Sequence, residues 1–88
     1  MKYVVFYESA DDVMTKAPLY IEAHRARWNS YRRDGMLLAI GPFSDPREGS
    51  MGVFATRESA EEFVAGDPFV LNGVVKNWYI REWNEVLL

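Results

Sequence analysis

The sequence predicts an α+β fold in which two helices pack on one face of a four-stranded sheet. Four short segments are rich in β-branched and aromatic residues, which is typical of strands. Two of the intervening segments carry helix start and stop signals. The chain has 88 residues, which leaves no room for a second unit of ordinary size. We therefore expect residues 1–88 to form a single domain.

The first half of the sequence predicts a strand, a helix and a second strand. Lys2–Tyr7 is an unbroken run of strand-forming residues after the initial methionine. Pro18 suits the first turn of a helix and Asp34-Gly35 suits its end, so a helix is expected at about 18–34. The apolar run Met36–Ile40 is the second predicted strand.

The second half predicts a strand, a helix and a longer strand. A polar turn leads into the third strand, Met51–Ala55. Thr56 suits the cap of a second helix, whose end is signalled by Gly66 with Pro68 just beyond. The last strand is Val74–Trp83. The order β-α-β-β-α-β is that of the ferredoxin-like fold, with a four-stranded antiparallel sheet.

Both faces of this sheet are predicted to be apolar, although two helices can cover only one of them. Alternation in the first and last strands sets Tyr3, Val5 and Tyr7 opposite Val4 and Phe6, and sets Val75, Tyr79 and Trp83 opposite Val74, Trp78 and Ile80. An apolar patch across several strands is typical of an interface. Because the chain has no cysteine and one histidine, a partner subunit is the remaining support for so small a core. We expect a homodimer with the two sheets packed face to face.

Composition and motifs argue against several other partners. The net charge of -3 gives no attraction to a phosphate backbone, so nucleic acid is not expected. No apolar run approaches the ~20 residues of a membrane span, and no signal-peptide pattern is present. Thiolate and multi-histidine metal sites are excluded by composition, and glycine-rich nucleotide motifs are absent. We expect a cytoplasmic protein without cofactor, metal or membrane partner.

The single histidine, His24, is the best candidate for chemistry. At about 100° per residue, Tyr20, His24, Trp28 and Tyr31 share one narrow sector of the first helix, so the imidazole should face inward. The other side carries a set of polar residues that indicates a solvated face, namely Glu22, Arg25, Asn29, Arg32 and Arg33. The residues alone allow two interpretations of His24. It is either a hydrogen-bonded core imidazole or a general base in a pocket between helix and sheet.

A general base of this kind needs a carboxylate to orient it, and Asp67 is the best candidate. It lies in the sequence Gly66-Asp67-Pro68-Phe69 at the end of the second predicted helix. A turn-forming role competes with this one, because the residue before a proline is biased away from helical backbone angles.

Several segments together resemble the YCII-related (YciI-like) family. Residues 23–26 (Ala-His-Arg-Ala), followed by 34–43 with its terminal Gly-Pro-Phe, are similar to the family's helix and strand pattern. Residues 65–69 resemble its Asp-Pro-Phe motif, and 80–83 (Ile-Arg-Glu-Trp) resemble its closing strand. The resemblance covers nearly the whole chain. It implies a dimeric ferredoxin-like fold, the dimeric α/β barrel, with a cleft in each subunit.

The resemblance also implies a function, because the family's paired histidine and aspartate carry over to His24 and Asp67. Some family members resemble muconolactone isomerases and chloro-hydroxyhydroquinone dehydrochlorinases. We therefore expect a cofactor-independent lyase or isomerase in which His24 removes a proton from a small cyclic or aromatic substrate, while Asp67 orients the imidazole. The expected substrate-binding residues are Tyr7, Trp28, Gly41, Pro42, Phe43 and Phe69. Two alternatives are a non-catalytic small-ligand or accessory module that uses the same cleft, and a purely structural pair.

Overall fold

A computed structural model describes all 88 residues and contains the predicted order of elements. The strands are β1 (Lys2–Ser9), β2 (Leu37–Pro42), β3 (Ser50–Phe54) and β4 (Val75–Trp83). The helices are α1 (Val13–Arg33), α2 (Arg57–Gly66) and the short α3 (Pro68–Leu71), and a 3-10 turn spans Pro46–Glu48. The sheet is antiparallel with the strand order β2-β3-β1-β4. The predicted ferredoxin-like α+β fold is therefore confirmed.

The hydrophobic core lies between the helices and one face of the sheet. Its buried members come from all four strands and α2, and they are Val5, Tyr7, Leu37, Phe54, Ala60, Phe63, Val64 and Val75. Trp28 and Tyr31 of α1 pack against this cluster. The start of α2 follows from local sequence, because the Thr56 hydroxyl accepts the Ser59 amide at 3.1 Å as the capping pattern predicts.

Helix α1 begins at Val13, and the predicted start at Pro18 is wrong. The amide of Lys16 donates to the carbonyl of Asp12 at 3.0 Å, which closes the first turn. The buried side chain of Val13 fixes that turn against the rest of the protein. Pro18 has a backbone angle compatible with the helix, and its missing N–H leaves only the Met14 carbonyl without its usual intrahelical donor. Tertiary packing thus overrides the local start signal.

A β-bulge interrupts the pairing of β1 with β4 at Lys76. Val75 consequently joins Ile80 on the helix-facing side of the sheet, where both pack in the core. The predicted grouping of Val75 with Tyr79 and Trp83 on one face is wrong, because strict alternation fails at a bulge.

The sheet face turned away from the helices, called the outer face here, has an apolar patch at its centre. The patch comes from three neighbouring strands and consists of Val4, Phe6, Met51, Val53, Tyr79 and Trp83. Polar side chains on the same face flank it, namely Lys2, Glu8, Asn77 and Arg81. The Phe6 and Tyr79 rings stack with their centroids 5.1 Å apart. Tyr79 is 41% exposed and Trp83 is 37% exposed.

None of the three helices combines the length and apolarity needed to cross a membrane.

Candidate active site

Asp67 lies at the junction between α2 and α3. Its backbone is extended, with φ −68° and ψ 122°, as expected for a residue before proline, so α2 ends at Gly66. Pro68 then begins α3, a turn that the sequence did not predict. The Asp67 Oδ1 atom accepts the backbone amide of Phe69 at 3.1 Å and thereby caps α3. The anticipated turn-forming role is therefore present, and it leaves most of the carboxylate available to other donors.

Two side chains from distant parts of the chain meet this carboxylate. The His24 Nδ1 atom of α1 lies 2.8 Å from Oδ1, and the Tyr7 hydroxyl of β1 donates to Oδ2 at 2.6 Å. Asp67 is 0% exposed and His24 is 8% exposed. A buried carboxylate is tolerated when its oxygens are hydrogen-bonded, and here both oxygens have donors. The structure thus brings Tyr7, His24 and Asp67 into one buried network.

The Tyr7 hydroxyl acts as a fixed donor in this network. Burial, together with the adjacent Asp67 carboxylate, raises the pKa of Tyr7 well above its ordinary value. A phenolate would share a desolvated space with another negative charge, which disfavours ionisation. Tyr7 therefore keeps its proton at physiological pH and holds the Oδ2 side of the carboxylate.

The hydrogen-bond network assigns the tautomer of His24. An ionised carboxylate only accepts hydrogen bonds, so Nδ1 carries the proton that is shared with Asp67 Oδ1. The other ring nitrogen, Nε2, has no hydrogen-bond partner in the protein, and no buried side-chain atom is left unpaired. Nε2 is therefore accessible. A neutral imidazole in this tautomer presents the Nε2 lone pair as a base.

Aromatic contacts fix the plane of the imidazole. The Phe69 ring stacks on His24 with centroids 3.9 Å apart and an interplanar angle of 4°. Phe63 meets the same ring edge-on at 6.3 Å. Because Phe69 follows Asp67 in α3, one turn of the chain supplies both the carboxylate and the stacking ring. Rotation of the imidazole would lose both contacts.

Arg27 fixes the end of α2, immediately before Asp67. Its Nε donates to the Phe63 carbonyl at 3.1 Å, and its Nη2 donates to the Glu62 carbonyl at 2.8 Å. The Phe63 carbonyl belongs to the last turn of α2, where the helix itself provides no partner. Arg27 therefore ties α1 to α2 and holds the segment that carries Asp67.

A cavity of about 350 Å³ lies beside His24, between α1 and the sheet. This volume falls within the range of small-molecule sites. The predicted substrate-binding residues that line it are Tyr7, Trp28, Gly41, Pro42 and Phe69. No group of three His, Asp or Glu side chains is placed to hold a metal ion.

The remaining predicted residue, Phe43, does not line the cavity and is 36% exposed. Pro42 pairs with Ser50, which also pairs with Tyr7, so Pro42 is on the helix-facing side of the sheet. Successive side chains of an extended chain point to opposite faces. The Phe43 ring is consequently directed away from His24.

Arg25 lines the cavity, and the sequence did not predict this. Its position about 100° from His24 around the helix suggested the solvated face. It lies only about 60° from Trp28, however, at the margin of the cavity-lining sector. Measuring helix angles from both His24 and Trp28 would have indicated it.

In a comparison with known protein families, residues 1–84 match the YCII-related domain. The chain belongs to the YCII-related family. The resemblance inferred from the sequence is therefore confirmed.

One solved structure shares the fold of this YCII-related protein over nearly its full length. It is 5-chloro-2-hydroxyhydroquinone dehydrochlorinase (TftG) from Burkholderia phenoliruptrix AC1100, in complex with 2,5-dihydroxybenzoquinone. The similarity covers 96% of this chain and 94% of that chain, with a TM-score of 0.78 and 17% sequence identity. At this identity the similarity establishes a common fold. No curated protein sequence matches the chain.

Proposed function

We propose that this protein is a cofactor-independent lyase or isomerase that transfers a proton to and from a small cyclic or aromatic oxygenated compound. One observation carries the proposal: His24 is held at Nδ1 by a buried carboxylate 2.8 Å away, while its Nε2 is free beside a cavity of about 350 Å³. A general base requires this arrangement, in which Asp67 orients the imidazole through Nδ1 and leaves Nε2 for the substrate.

His24 Nε2 removes a proton from a carbon next to a carbonyl, which makes that proton acidic. The electron pair of the broken C–H bond forms a new double bond. In a lyase reaction a leaving group such as chloride departs with its bonding pair, and in an isomerase reaction the imidazolium returns the proton to another carbon. Asp67 stabilises the imidazolium through the existing Nδ1 contact, and Tyr7 and Phe69 keep the carboxylate in place. General base catalysis of this type contributes about 10²–10⁴ in rate.

The common fold guides the choice of substrate class. TftG is a dehydrochlorinase, and its structure contains 2,5-dihydroxybenzoquinone. A cavity of about 350 Å³ has room for one ring of this size. Trp28 and Phe69 supply the apolar walls that such a ring would contact. Ring-sized hydroxyquinones, phenols and lactones are therefore the first compounds to test.

The test combines a thermal-shift screen of these compounds with a turnover assay of the wild-type protein and His24→Ala. A compound that binds only the folded state raises the melting temperature. An enzyme should turn over at least one hit, and His24→Ala should abolish turnover while remaining folded. Glu22→Ala, on the exposed side of the same helix, should behave like wild type.

Two other outcomes would replace the proposal. A small-ligand or accessory module would show no turnover of any hit, and His24→Ala would keep most of its affinity. A purely structural pair would show neither binding nor turnover in the wild-type protein, and His24→Ala would only lower the melting temperature.

We also propose that two copies of this domain, each formed by residues 1–88, pair through the outer face. The support is an apolar surface across three strands, with Tyr79 and Trp83 partly exposed. Trp83→Glu should convert the dimer to a monomer in sedimentation measurements, because a charge would be buried in the interface. Trp78 lies on the same strand but on the helix-facing side and is 46% exposed, so Trp78→Glu is the matched control and should stay dimeric. A wild-type monomer would refute this assembly.

A further inference from the structure

The cavity beside His24 carries a single formal charge, and that charge is positive. Arg25 is the only lysine, arginine, aspartate or glutamate among its lining residues. The chain as a whole has a net charge of -3, so this local excess of positive charge runs against the general composition. The nearest carboxylate in the network, Asp67, does not line the cavity, and its oxygens are engaged by Tyr7, His24 and Phe69.

Arg25 is also free to bind a ligand. It forms no ion pair and no hydrogen bond within the protein, whereas Arg27 of the same helix is held by two carbonyls. Arg32, also on α1, donates to Asn29. A guanidinium that is not committed to the protein can present its planar set of donors to a carboxylate or an oxyanion.

A second donor lies on the opposite wall of the cavity. Ser50 pairs with Tyr7 in the sheet, so its side chain is on the helix-facing side, and it lines the cavity. The Ser50 hydroxyl has no hydrogen-bond partner in the protein, whereas the hydroxyl of Tyr7 is engaged by Asp67. The cavity therefore presents three uncommitted polar groups: a base at His24, a guanidinium at Arg25 and a hydroxyl at Ser50.

We propose that the cavity takes an anionic ring compound, either a carboxylate or an ionised phenol or enol, bound by the Arg25 guanidinium. The Ser50 hydroxyl donates a second hydrogen bond, and the ring lies against Ile21 and Trp28, with one carbon presented to His24 Nε2. This inference rests on the proposed function for the role of His24, and it adds the charge of the substrate. Acidic and neutral compounds of the same shape should therefore be distinguished by this site.

Benzoate and benzamide are suitable probes, because they share a ring and nearly the same shape but differ in charge. Their dissociation constants can be measured on the full chain at low salt by titration of backbone amide NMR signals. The wild-type protein should bind benzoate about tenfold more tightly than benzamide, as expected for one charge-assisted contact to an exposed arginine. Higher salt should weaken the binding of benzoate alone.

Three variants give the inference its specificity. Arg25→Gln should weaken benzoate binding about tenfold and leave benzamide binding unchanged. Arg25→Lys should retain part of the preference, because it keeps the charge and loses the planar donors. Arg33 lies on the same helix, lines no part of the cavity and forms no ion pair, so Arg33→Gln should preserve the wild-type preference.

Equal affinities for benzoate and benzamide in the wild-type protein would overturn the inference, as would the absence of benzoate binding at millimolar concentration. An equal loss in Arg33→Gln would overturn it as well. A protein that prefers benzoate through Arg25 but turns over none of the screened compounds would refute the proposed function and leave the anion site standing. Turnover of neutral compounds without any preference for benzoate would refute the anion site alone.

Discussion

The Tyr7 hydroxyl provides a quantitative test of the buried network. Tyr7→Phe removes a donor that lies 2.6 Å from Asp67 Oδ2 and leaves the aromatic ring in place. Because Asp67 is 0% exposed, water cannot replace the lost donor. A buried acceptor without a partner costs about 1–3 kcal/mol, and we expect this loss in the free energy of unfolding at neutral pH.

The same hydroxyl predicts how stability depends on alkaline pH. The raised pKa of Tyr7 keeps its proton bound in the folded protein above pH 10.0, the ordinary value, whereas the unfolded chain releases it there. The stabilisation from the retained proton is therefore complete below that pH and is lost as the pH rises above it. One proton corresponds to about 1.4 kcal/mol per pH unit. Above pH 10.0, the free energy of unfolding of the wild-type protein should fall more steeply with pH than that of Tyr7→Phe. The difference between the two slopes should approach about 1.4 kcal/mol per pH unit.

Urea unfolding followed by tryptophan fluorescence, repeated from neutral pH to about pH 11, measures both effects. Tyr3→Phe is the control, because the Tyr3 hydroxyl meets only the Met1 Sδ atom, at 3.4 Å. Burial raises the pKa of Tyr31 to about 12, but Tyr31 is present in every variant and its contribution cancels. Parallel stability curves for wild type and Tyr7→Phe above pH 10.0 would contradict the retained proton on Tyr7, and an unchanged stability at neutral pH would contradict the buried hydrogen bond.

Three further predictions address the frame of the site. Gly49→Ala should lower the melting temperature measured by calorimetry. Gly49 has a φ of 121°, which costs about 1–3 kcal/mol for alanine, and the new Cβ would collide with the Tyr7 carbonyl. Gly41→Ala is the control, because a Cβ at that position meets open space. Asp67→Asn keeps an oxygen that can accept the imidazole proton, so the variant should remain folded. Its turnover should be lower than that of wild type by about 100-fold or more, with little change in ligand affinity. Turnover at the wild-type rate would contradict the role of the carboxylate. Arg27→Gln should destabilise the protein by about 1–3 kcal/mol in urea unfolding, because two carbonyls at the end of α2 lose a charged donor. An unchanged urea midpoint would contradict the role of Arg27 in holding α2 against α1.

The fold followed from the sequence wherever local chemistry dominates. The Thr56 cap and the strand-forming runs act within a few residues, so they were predictable. The start of α1 was missed because Val13 is held by tertiary burial, while Pro18 is a signal that a helix tolerates. The bulge at Lys76 was missed because it depends on the pairing of two strands that are far apart in the chain.

The candidate site was predictable in its residue types and less so in its geometry. Helical spacing indicated that His24 faces inward, and the resemblance to the YCII-related family indicated Asp67 as its partner. The stacking of Phe69 on the imidazole requires α3, which no sequence signal predicted. Arg25 was missed because the solvated face was defined relative to His24, whereas Arg25 lies only about 60° from Trp28, which also lines the cavity.

The most direct test of the account is the protonation of the two nitrogens of His24, measured by long-range nitrogen–proton NMR correlations. The chain has one histidine, so the signals need no further assignment. We predict that the neutral ring carries its proton on Nδ1, bonded to Asp67, and that Nε2 carries the lone pair. A neutral ring with its proton on Nε2 would contradict the account, because the nitrogen beside the cavity could then not accept a proton.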